Sequence, residues 1–72
     1  MNDRFQMMRE LAAELEALID RSSLSDVLEA LEGICDEKAE HVSTNWQDRD
    51  LSNAWGKAAR AVGRVNGAID GL

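Results

Sequence analysis

The chain has 72 residues and a net charge of −6, from eight Lys and Arg against fourteen Asp and Glu, with no proline and one cysteine. A chain this short holds one domain with a small core, and a single cysteine rules out a disulfide framework within the chain. The acidic balance argues against direct binding to nucleic acid, which needs a basic footprint. What remains to stabilise so small a domain is regular helix packing, self-association, or both.

The first apolar pattern is helical. Met1, Phe5, Met8, Leu11, Ala12, Leu15, Leu18 and Ile19 recur at spacings of three and four, which predicts an amphipathic helix over residues 3–21 with a wide apolar face. Asp3 with Gln6 three residues on resembles a capping box. Arg21-Ser22-Ser23 marks a break, and Ser23 is placed to cap a second helix over residues 24–45. On that helix Leu24, Val27, Leu28, Leu31, Ile34, Cys35 and Val42 share one side. Asp26, Glu29, Glu32, Asp36, Glu37 and Glu40 fill the other.

The second break, Asn45 to Asp50, is polar apart from Trp46. Asp50 is the expected N-cap of a third helix over residues 51–69, whose stripe is Leu51, Trp55, Ala58, Val62, Val65 and Ile69. Lys57, Arg60 and Arg64 point away from it. The last residues, Gly67 to Leu72, are expected to fray. Short connections predict antiparallel neighbours. The expected fold is therefore all-α and spans residues 1–72 as a single helical domain. It is either a small three-helix bundle or a helical hairpin with a third helix, completed by dimerisation.

Charge is unevenly spread. Residues 10–40 hold ten acidic and two basic side chains, a local net of −8; residues 41–72 hold three acidic and four basic. No secretory pattern opens the chain, since Asp3 lies in the first nine residues and an amphipathic segment follows. No run of about 18 apolar residues suggests a membrane span. One lone cysteine suits a reducing compartment. The expectation is a soluble cytoplasmic protein with no membrane partner.

Catalytic and metal chemistry find little support. Asp36, Glu37, Glu40 and His41 cluster, but no Glu stands three residues before His41, as helical di-metal sites require, and Cys35 is six residues away, which fails zinc spacing. Cys35 and His41 are nearly two turns apart and read as core and near-core residues, not as a nucleophile and its base. No phosphate loop or nucleophile elbow is present. Gly63, Gly67 and Gly71, with Ala59 extending the row, resemble a close-approach pattern, but read more simply as weakening of the helix end. No cofactor is expected, and the chain reads as non-enzymatic.

Contact surfaces are the better candidates. The acidic face of Glu29, Glu32, Asp36, Glu37 and Glu40 suits a basic protein surface, although solubility alone also accounts for it. Trp46, Lys38 and His41 are candidate interface anchors. Phe5, Met8, Leu15, Leu31, Trp55 and Val62 are the expected core or oligomer contacts. The leading expectation is a helical interaction module that forms a homo-oligomer, as a dimer, and turns its acidic face to a protein partner. The alternative is a small acidic inhibitor, phage- or antitoxin-like, that blocks the basic, nucleic-acid-binding cleft of a target protein.

Overall fold

The protein is all-α, and the computed structural model describes residues 3–69 and 71–72. Helix α1 spans Asp3–Arg21, α2 spans Leu24–His41, and α3 spans Arg49–Ala68; a π-turn, Val42–Trp46, continues α2. No strand occurs among the described residues. Met1 lies outside them, and so does any partner Asp3 has upstream.

The corner between α1 and α2 leaves no slack. Ser22 donates its hydroxyl to the Leu18 carbonyl at 2.8 Å, and its N–H reaches the Leu18 and Ile19 carbonyls. Ser23 is the expected N-cap, and its hydroxyl accepts the Asp26 N–H at 2.9 Å. Both connecting residues are thus engaged in capping, and none is left to reverse the chain. As a result α1 does not fold back along α2 as its short connection predicts. It meets α2 near the corner and, among the described residues, reaches no part of α3.

The other pair, α2 and α3, packs antiparallel along its length. Two hydrogen bonds fix the register. Ser25 donates to Asn66 Oδ1 at 2.8 Å near one end, and Ser52 donates to the Ala39 carbonyl at 2.9 Å near the other. Between them the helices approach through small residues. Ser52, Gly56, Ala59, Gly63 and Asn66 line α3, at alternating steps of four and three. Ser25, Leu28, Glu32, Cys35, Ala39 and Val42 line α2. Ala59 at 3 % and Val42 at 7 % are the buried apolar residues of this seam. A Cβ on Gly63 would stand 2.8 Å from Glu32 Oε2, the end of a flexible side chain that would have to shift to admit it.

Element ends differ from expectation in physically legible ways. Residues 42–46 stay helical but widen to a π-turn, in which the Asn45 amide bonds His41 Nδ1 at 3.0 Å and the His41 carbonyl at 3.1 Å. Gln47 then takes a left-handed conformation, φ 53°. The α3 cap is Asp48, not Asp50; its Oδ1 accepts the Leu51 N–H at 3.0 Å. Asp50 instead sits in the first turn, where its charge favours the helix N-terminus. Leu72, in the segment expected to fray, is bonded to the start of α2. The Leu72 carbonyl accepts the N–H groups of Leu24 and Ser25 at 3.0 and 3.4 Å, satisfying two donors that a helix start leaves free.

Gln47 yields a first prediction. A side chain in this conformation costs free energy that glycine avoids. Gln47→Gly is expected to stabilise the fold by about 0.5–1 kcal/mol, read as a higher urea midpoint. A lower midpoint would mean that the Gln47 side chain contributes more than its strained backbone costs.

The result is thin and open. Its principal extents are 38 × 37 × 16 Å, and its radius of gyration is 14.4 Å against about 11 Å for a compact domain of this length. The helices lie in one layer, whereas a stable core is enclosed between two.

Candidate functional site

Antiparallel packing along the seam sorts the remaining side chains into two faces. On both helices, the residue one before each seam position falls on one side of the hairpin, and the residue one after falls on the other. The preceding residues are Leu24, Val27, Leu31, Ile34, Lys38 and His41 on α2, with Leu51, Trp55, Ala58, Val62 and Val65 on α3. Each is half-buried or exposed in the single chain. The following residues are Asp26, Glu29, Asp36 and Glu40 on α2, with Lys57, Arg60 and Arg64 on α3, all exposed. One face of the hairpin is therefore apolar, with Lys38 and His41 at one end, and the other is charged.

The stripe expected to pack α3 into a core is this bare apolar face. Of the expected core or oligomer contacts, Leu15, Trp55 and Val62 are half-buried, Leu31 and Met8 are exposed, and Phe5 is 66 % exposed. None is enclosed within the single chain. Along α1, Leu15 and Leu18 border a shallow groove with Val27, Leu31 and Ile34 of α2. The N-terminal half of α1 carries Phe5, Met7, Met8 and Leu11 into open solvent. There the Arg9 guanidinium stands 5.9 Å over the Phe5 ring.

The charged face carries both signs. Glu29, Asp36, Glu37 and Glu40 are exposed on α2, but Glu32 is half-buried and lies over Gly63 in the seam. The cations of α3 share the face with them. Lys38 and His41 are exposed at the end of the apolar face, and His41 Nδ1 bonds the Asn45 amide. Trp46 ends the π-turn at 72 % exposure and closes no aromatic cluster with the half-buried Trp55. Cys35 is a half-buried seam residue with a free thiol. Among the described residues, no three His, Cys, Asp or Glu side chains gather as a metal site would need, and no helix is long and apolar enough to cross a membrane.

These features define a class: a one-layer, three-helix protein with an unfilled apolar face on one side and charge on the other. No family model matches the chain, and no curated protein or solved structure is significantly similar to it. Its function is therefore argued from the surface itself.

Proposed function

We propose that the chain is a helical interaction module that works by contact, self-associates through its apolar side, and keeps the charged side of the α2–α3 hairpin outward for a protein partner. The observation that carries this reading is surface area. The chain exposes 5941 Å², while a compact monomer of its 8.0 kDa exposes about 4,500 Å². The excess, about 1,500 Å², is what one subunit of an obligate dimer covers, on the order of 1,000–2,500 Å² per chain. Large hydrophobic residues are exposed on α1 and on one side of the hairpin, and apolar surface left open in this way marks an interaction site.

Light scattering after size exclusion tests self-association. A mass of twice 8.0 kDa is expected at micromolar concentration; a strict monomer at millimolar concentration would overturn the reading.

The outward role of the acidic row has its own test. Asp36 is exposed and stands four residues from both Glu32 and Glu40. Like charges at that spacing destabilise a helix by about 0.2–0.5 kcal/mol per pair. If the row is kept for a partner, Asp36→Asn raises stability by roughly 0.5 kcal/mol at low ionic strength. If the row instead holds the fold together by attraction to Lys57 and Arg60, the same substitution lowers it.

A further inference from the structure

We infer that the apolar face of the α2–α3 hairpin is the seat for helix α1 of a second copy of this chain, and that two copies exchange α1 reciprocally. The inference rests on the self-association reading and deepens it by naming the occupant. Two apolar surfaces lack partners: the hairpin face around Leu51, Trp55, Val62 and Val65, and the α1 stripe around Phe5, Met8 and Leu11. Within one chain they do not meet, since α1 reaches no part of α3. The Ser22–Ser23 corner holds them apart through its own hydrogen bonds.

Alternative pairings leave one surface bare. If two hairpin faces packed on each other, the N-terminal half of α1 would remain without a neighbour, and a single helix of 19 residues is barely stable in water. If two α1 helices paired alone, the hairpin faces would stay exposed. Exchange covers both surfaces at once, supplies the second layer that each chain lacks, and satisfies the two-fold symmetry of a homodimer. Each α1 is about 28 Å long, enough to lie along the hairpin.

Two double variants test this, both at residues exposed in the single chain. Phe5→Asp with Met8→Asp disables α1; Leu51→Asp with Val65→Asp disables the face. By light scattering each variant alone is expected at the monomer mass of 8.0 kDa. An equimolar mixture at high concentration should recover a dimer, because the intact α1 of one chain finds the intact face of the other. If the α1 variant still dimerises alone, hairpin faces pair with each other and the inference fails while self-association stands. If both variants are monomeric and their mixture stays so, the inference also fails, provided each remains helical by circular dichroism. A wild-type monomer removes the self-association reading itself.

Should the variants unfold, disulfide trapping decides. A Leu11→Cys chain is mixed with an Ala58→Cys chain, both carrying Cys35→Ser, and oxidised with glutathione disulfide. Exchange predicts a mixed disulfide in several-fold excess over either homodimeric one. A statistical 1:2:1 distribution, with the mixed disulfide no more than twice either homodimeric one, would overturn it.

Discussion

Ala59→Leu is expected to cost about 2–3 kcal/mol and to lower the melting temperature by about 10–20 °C. Ala59 is the most buried of the described residues, at 3 % exposure, and it stands in the seam between α2 and α3. Three added carbons must push the helices apart or force a strained rotamer. Either response stretches the hydrogen bonds from Ser25 to Asn66 and from Ser52 to the Ala39 carbonyl, 2.8 and 2.9 Å as they stand. The control is an exposed position on the same helix. Ala54→Leu adds the same atoms on the side of α3 away from the seam and should change stability by less than about 0.5 kcal/mol. Thermal unfolding of the two variants at equal concentration separates the cases. Equal losses would mean that the seam is not where the hairpin is held.

That contrast also measures what the sequence discloses. The α1 bounds, the Ser23 cap and the existence of three helices follow from apolar periodicity and capping chemistry, which act over a few residues. The helix pairing does not follow, because the most hydrophobic stripe is not the most buried one. Backbones approach where side chains are small, so Ser52, Gly56, Ala59, Gly63 and Asn66 form the seam while Trp55, Val62 and Val65 flank it. The signal was present as the four–three spacing of small residues, and part of it is visible in the row of Ala59 and Gly63. Glu32 was hidden for a related reason. A carboxylate in a seam is legible only when the residue opposite is known to lack a Cβ, as Gly63 does. The splay of α1 depends on Ser22 and Ser23 spending their hydrogen bonds on caps, and connection length alone does not reveal that. The hold of Leu72 on the start of α2 spans nearly fifty residues and leaves no local pattern.

If two layers are needed and each chain supplies one, folding and association are a single event, and stability must depend on concentration. Raising the protein from 1 to 100 µM adds about 2.7 kcal/mol per dimer, which for two chains of this size lifts the melting temperature by about 10 °C. The helix signal should respond as well. α1 supplies 19 α-helical residues beside 18 in α2 and 20 in α3, and when released it has no neighbour along most of its length. Dilution to nanomolar concentration is therefore expected to remove at least a third of the α-helical ellipticity, and all of it if the hairpin cannot stand with its apolar face bare. Circular dichroism across that range reads both effects. A melting temperature that stays constant over a hundredfold change in concentration would mean that one layer of helices suffices. The excess surface of the chain would then have to be covered by something other than its own copy.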